Sequence, residues 1–145
     1  MTEPQIAELA ARFEAASIPR AEWTHEAHLV VGAWHVHRFG ADGALARLRA
    51  GIRRLNEANG VANTATDGYH ETITAAYVRL LARALVDLGA DAPLAERIAA
   101  LLASPLGGKA ALARHYSREV LMSPRARAEW VPPDREPLPD PLPAP

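Results

Sequence analysis

Apolar residues recur at helical spacing along most of the chain. Ile6, Leu9, Ala10 and Phe13 fall on one face behind Thr2 and Pro4, which suit an N-cap and an opening turn. Ser17-Ile18-Pro19 ends this first predicted helix. Thr24 caps a second over residues 25–39, closed by Gly40 in a left-handed conformation. Leu45, Leu48, Ile52 and Leu55 mark a third over residues 43–58, which Asn59-Gly60 stops; residues 61–66 are small and polar and predict a loop. The fourth and longest predicted helix begins at Asp67 or Gly68, runs to Leu88 and ends at Gly89. Asp91 caps a fifth that turns Leu94, Ile98, Leu101 and Leu102 inward. Shorter helices follow over residues 109–114, 118–122 and 124–129, the last with Ser123 as cap and Pro124 in the first helical position. No stretch alternates with period two, so no sheet is expected.

The fold class is therefore all-α, a single domain over residues 1–130 built as a helical bundle of five main helices plus short C-terminal ones. Seven of the 12 prolines stand at or after Pro132, which makes residues 131–145 a Pro-rich extended tail, solvated or laid across the body. A chain of 145 residues, 49% hydrophobic and 23% charged, has the length and composition for one hydrophobic core. Trp23, Trp34 and Trp130 are expected as packing anchors, with Trp130 pinning the tail, and Arg79 and Arg83 as a solvated helix face.

Composition narrows the chemistry. With no cysteine there is no disulfide, iron–sulfur cluster or thiol nucleophile, and any metal must be held by nitrogen and oxygen. Sixteen basic residues against 17 acidic ones leave a net charge of −1, without the basic footprint of a nucleic-acid binder. No apolar run reaches the ~18 residues of a membrane span, and the first residues do not read as a signal peptide. A cytoplasmic protein without membrane or nucleic-acid partners is the expectation, and a homo-oligomer remains open.

The polar residues are informative once placed on helical wheels of about 100° per residue. His25, His28, Gly32 and His35 share one arc of the second helix, facing the core, whereas His37 points away. On the fourth predicted helix Asp67, His70, Glu71 and Thr74 form one stripe that continues as Tyr77, Val78, Leu81 and Leu85. Burying such groups unpartnered costs about 1–3 kcal/mol each, so they must find partners. If the second, third and fourth helices run up, down and up, the second and fourth are parallel and His25/His28 approach Asp67/His70/Glu71.

Two imidazoles at i and i+3, a third from His70 and a carboxylate from Asp67 would form a metal site of His25, His28, His70 and Asp67, suited to zinc, iron, manganese or copper. Glu71 would take a proton from bound water, for hydrolase, lyase or oxygenase chemistry. A metal-free site would use Glu71, His70 and Tyr69 as catalytic acid and base, or His28 opposite them. Asn63, Thr66, Thr74 and His35 are the candidate substrate-binding residues. Two helix N-termini at the same end favour a small-molecule ligand with a carboxylate. Structural roles compete for several of these. Thr24 and Asp67 suit N-caps, His35 a satisfied core histidine, and His115 and Tyr116 a short helix end.

Three segments carry a resemblance: Trp23-Thr24-His25-Glu26-Ala27-His28-Leu29, Gly68-Tyr69-His70-Glu71-Thr72-Ile73-Thr74 and Ser117-Arg118-Glu119-Val120-Leu121-Met122-Ser123-Pro124. With Trp130-Val131-Pro132-Pro133-Asp134 they resemble a family of small uncharacterised bacterial all-helical proteins, over Trp23 to Asp134. The resemblance implies no activity. The expected function is a small-molecule enzyme with a buried His/carboxylate site, metal-dependent in its first form. The alternative is a non-catalytic ligand-binding or oligomerising helical module in which the histidines form a structural network.

Overall fold

The computed structural model describes residues 1–140, in which every regular element is helical. Helix α1 (Glu3–Glu14) opens with a capping box: Thr2 Oγ1 accepts from the Gln5 amide, and the Gln5 side chain accepts from Thr2 N. It buries Ile6, Ala10 and Phe13, one face at helical spacing. Thr24 caps α2 (His25–Ala58) by accepting from Ala27 N at 3.1 Å. Helix α3 spans Glu71–Asp87 and α4 spans Leu94–Ala103; two short helices, α5 (Arg118–Leu121) and α6 (Pro124–Ala128), follow, capped by Ser117 and Ser123.

The predicted second and third helices form a single element, α2, broken at Gly40 (φ 73°, ψ 174°). Gly40 does take positive φ, yet no loop follows, because the next residues re-enter helical geometry at once. The element thus has two arms, before and after Gly40. Along the first arm, His25 lies beside Tyr77 and Gly32 against Leu81, so this arm runs parallel to α3. Along the second, Arg49 meets Glu71 and Arg53 covers Tyr69, so this arm runs antiparallel to it. Up, down, up is the resulting topology. A Cβ at Gly51 would collide with the Phe13 ring, which is how α1 packs closely on the second arm.

Two helix starts differ from expectation. Helix α3 begins at Glu71 and its N-cap is His70, not Asp67. The preceding chain is held in a turn by Thr64 Oγ1, which accepts from Thr66 N and Asp67 N, and by Gly68 at φ 81°, packed against Ala62 and Asn63. At α4 the N-cap position is Pro93, which has no side-chain acceptor, and Asp91 plays no capping part. Glu3 supplies the missing acceptor from α1, taking a 2.8 Å hydrogen bond from Ala95 N. The buried Arg97 guanidinium ties the same end down by donating to Ala92 O and Leu85 O.

The main core lies between α1, both arms of α2, α3 and α4, around Phe13, Val30, Leu55, Leu81 and Leu101. A second cluster, Ala76, Leu112, Tyr116 and Leu138, sits on the other side of α3. It includes the tail. Residues 131–138 are laid across the body as a strap: Tyr116 OH donates to Val131 O at 2.6 Å, and Arg135 N and Glu136 N donate to His115 O and Arg114 O. Asp134 accepts from Ser117 N, and His115 Nδ1–H donates to Glu136 O. Arg79 is not a free solvated side chain, since its guanidinium lies over the Trp130 ring at 4.4 Å. The last five residues of the predicted tail lie outside the described residues.

Thr72 is the joint between α3 and the strap. Fully buried, it donates from Oγ1 to Glu129 O at 2.7 Å and accepts from Val131 N at 3.0 Å. Thr72→Val keeps the shape and orphans both backbone groups, so urea denaturation should read a loss of about 1–3 kcal/mol. Thr72→Ser, which keeps the hydroxyl, should lose clearly less. Equal losses for the two would show that shape, and not the hydroxyl, is what matters there.

Candidate functional site

His25 and His28 occupy the first turn of α2, and their i, i+3 spacing directs both rings to one side. That side is a cavity of about 380 Å³ between the two arms of α2 and α3. Leu29, Leu48, Ile52, Val78 and Leu81 give it an apolar body; Trp23, His25, His28, Thr74, Tyr77 and Lys109 give it polar points. Its volume and lining match the small-molecule pockets of folded proteins, which hold about 300–1,000 Å³. The absence of a side chain at Gly32 contributes: a Cβ there would stand 2.8 Å from Leu81 Cδ1.

The two imidazoles differ in state. His28 stacks on Trp23 with ring centroids 3.8 Å apart, and its Nδ1–H donates to Thr24 O at 2.7 Å. The tautomer is thereby set, and Nε2 carries the lone pair. The ring is open to water through the cavity mouth yet crowded by protein on its other sides, and this desolvation, aided by neighbouring His25, lowers its pKa. His28 is thus a neutral base with an unused nitrogen. His25 packs edge-on to Tyr77 at 5.8 Å, and its Nε2 is buried without any hydrogen-bond partner. No other buried side-chain nitrogen or oxygen among the described residues is left unpaired.

The other expected members of the site are elsewhere. His70 caps α3 with Nδ1, which accepts from Ile73 N at 3.1 Å, and its Nε2–H donates to Leu121 O at 2.7 Å. Both nitrogens are committed, and burial lowers the pKa of the ring, as does Arg127 nearby. Register explains why it misses His25 and His28. His25 lies beside Tyr77, six residues into α3 from Glu71, so the start of α3 overhangs the first arm of α2 by ~9 Å. Asp67 is exposed in the preceding turn and accepts from Thr66 Oγ1. The four expected metal donors are therefore not assembled, and no group of three or more His, Asp or Glu fit to hold a metal occurs among the described residues.

Glu71 is engaged by a residue the sequence did not single out. Arg49 donates to it twice, Nε to Oε1 at 2.8 Å and Nη2 to Oε2 at 2.7 Å, while Tyr69 OH donates to Oε1 at 2.7 Å. The bidentate Arg49 bond holds the Glu71 carboxyl below its ordinary range. Burial, together with the Glu71 carboxylate, pushes the Tyr69 phenol well up. The expected acid–base trio of Glu71, His70 and Tyr69 is thus occupied in bonds within the protein and stands outside the cavity lining. Arg49 was foreseeable to a degree, lying four residues after Leu45 and three before Ile52, on the margin of that arm's apolar face.

Of the expected substrate-binding residues, Thr74 alone lines the cavity, and its Oγ1 donates to His70 O. Asn63 staples its loop, accepting from Asn56 Nδ2 and Tyr69 N and donating to Arg53 O. Thr66 is exposed in the turn with Asp67. His35 faces α1, where Phe13, Trp34 and Phe39 enclose its ring and Nδ1–H donates to Val31 O; burial lowers its pKa. His35 is thus the satisfied core histidine and not a cavity residue, because the shared arc spans two neighbours, α3 at His25 and α1 at His35. Trp23 and Lys109, both on the cavity wall, were not foreseen as site residues.

Compared with protein-family models, with curated proteins and with solved structures, the chain matches none. The site therefore has to be interpreted from its own geometry.

The Glu71 bonding makes a pH-dependent prediction. A carboxyl whose folded pKa is depressed stabilises above its unfolded pKa of about 4.3 and loses that contribution as pH falls through the folded value. In urea denaturation, wild type should exceed Glu71→Gln most at neutral pH, and the gap should close on acidification below about 4.3. A gap that stays constant with pH would mean that the Arg49 ion pair contributes nothing to stability.

Proposed function

We propose that this protein binds a small, largely apolar organic molecule in the cavity between α2 and α3, with His25 hydrogen-bonding its polar group. The observation that carries this is the unpaired, buried Nε2 of His25 in the wall of an apolar cavity. An unsatisfied buried nitrogen costs about 1–3 kcal/mol, so a ligand that pairs with it recovers that cost on binding. The reading keeps the expected small-molecule ligand and two of its histidines. It runs through an organic group and not through a metal, because the third and fourth donors lie outside the cavity.

An enzymatic form of the same reading is favoured by His28. Its neutral ring, fixed by Trp23 and Thr24 O, offers Nε2 as a general base beside the polar end of a bound molecule, while His25 pairs with the developing charge. Proton abstraction next to a carbonyl is the reaction class that these two groups alone can serve. The oligomerising alternative gains no such support.

Nonan-2-one, an apolar chain with one carbonyl, is a suitable probe. Calorimetric titration should give saturable one-to-one binding, weakened about five- to tenfold in His25→Phe. Without ligand, His25→Phe should melt at or above the wild-type temperature, since it removes an unpaired nitrogen. No saturable binding, or a ligand-free His25→Phe that loses stability, would overturn the binding reading. For the enzymatic form, exchange of the ketone α-protons in D2O should be accelerated by wild type and fall to the buffer rate in His28→Gln. Exchange by wild type no faster than by free imidazole counts against it.

A further inference from the structure

A second cavity of about 480 Å³ abuts the first, and the two share the wall residues His25, Ile73, Tyr77 and Lys109. His25 therefore stands in the wall between an inner and an outer chamber. The chambers differ in character. Leucine, isoleucine and valine side chains make most of the inner wall, whereas the outer one adds Arg118 and Arg135 to the shared Lys109. No carboxylate lines either chamber, and Lys109 and Arg118 form no ion pair among the described residues. Arg135 uses one nitrogen on Ala113 O and is partly balanced by the neighbouring Asp134, which leaves Lys109 and Arg118 as the cations without an acidic partner. Three cations around one concavity, in a chain of net charge −1, raise the local concentration of anions.

From this we infer that the ligand is an amphipathic anion lying through both chambers. Its apolar body fills the inner chamber, and its carboxylate or phosphate head lies in the outer one, facing Lys109 and Arg118. The arrangement accounts for the gathering of cations beside an apolar cavity with no acid in either wall. The outer wall is made by the 3₁₀ turn Ala111–Arg114, α5 and the strap, so these segments have a role in head-group selection in addition to covering α3. The inference rests on the binding reading above.

Octanoate and nonan-2-one have the same alkyl chain and differ by a carboxylate oxygen in place of a methyl group, which isolates the head group. Wild type should bind octanoate at least about tenfold more tightly at low salt, with the ratio shrinking as salt rises. In Lys109→Met/Arg118→Met, checked for wild-type melting, the ratio should fall close to one. Heptyl phosphate, which keeps the seven-carbon chain, in place of octanoate identifies the head group, since the preferred anion is the one that gains more over the ketone. Equal binding of octanoate and nonan-2-one by wild type overturns the anion while leaving the cavity reading intact. An unchanged ratio in the double variant also overturns it. Failure of both ligands to bind removes the cavity reading itself, and the anion with it.

Discussion

The reversal of α2 at Gly40 is the constraint on which the remaining structure depends. A straight 34-residue helix would extend ~51 Å and leave one long apolar face unpaired. Folding it back makes two arms, and α3 lies against both, parallel to one and antiparallel to the other. The position of α3 along its axis is then set by contacts at both levels. Gly32 admits Leu81 on the first arm, and Arg49 grips Glu71 on the second. With these two contacts made, α3 cannot slide to bring His70 beside His25 without moving Glu71 away from Arg49. The overhang of α3 is thus a consequence of how α2 turns.

That overhang creates an energetic difficulty which the C-terminal third of the chain resolves. The first turns of α3 carry His70, Glu71 and Thr72, all at least largely buried. Glu71 is held by Arg49 of α2 and by Tyr69, while the other two find partners far away in sequence. His70 donates to Leu121 O, Thr72 joins Glu129 and Val131, and Arg127 donates to Gly68 O at 2.7 Å. Since each unpaired buried group would cost about 1–3 kcal/mol, these bonds favour the short helices and the strap docked on α3 over a detached C-terminal third. A cluster that resembles catalytic machinery in one dimension is in three dimensions a fastening. Its perturbed pKa values follow from burial and ion pairing, which structural networks produce as readily as active sites do.

How much of this was legible in the sequence divides along physical lines. Helical periodicity and caps such as Thr2, Thr24 and Ser123 act within a few residues, and the all-helical character follows from them. The parallel arrangement of the first arm of α2 with α3 was also accessible, from short connections. What was not accessible is register. A shift of six residues along one helix separates a four-donor metal site from two histidines in an apolar cavity, and no local signal encodes that shift. The start of α3 was missed for a related reason: Asp67 is a stronger intrinsic cap than His70, but Gly68 and the Thr64 turn divert the chain, and Leu121 O rewards the imidazole. Likewise, Glu3 capping α4 is a contact over 92 positions, invisible to any window along the chain.

The three histidines of the expected site form a graded series in how far the protein satisfies them. His70 has both nitrogens engaged, His28 has one engaged and one free, and His25 has its Nε2 buried and unpaired. The chain is otherwise thorough in pairing its buried polar atoms, even reaching across most of its length to do so. An unpaired nitrogen in such a molecule is a localised instability, and it belongs to a ring that lines a cavity, although the nitrogen itself is covered. Packing more tightly would have been simple: a larger residue at Thr74 would begin to fill the space. The cavity is therefore where the structure departs from the rule it follows elsewhere, and a bound molecule carrying an acceptor, with a small shift of the His25 ring, would relieve both the void and the unmet hydrogen bond.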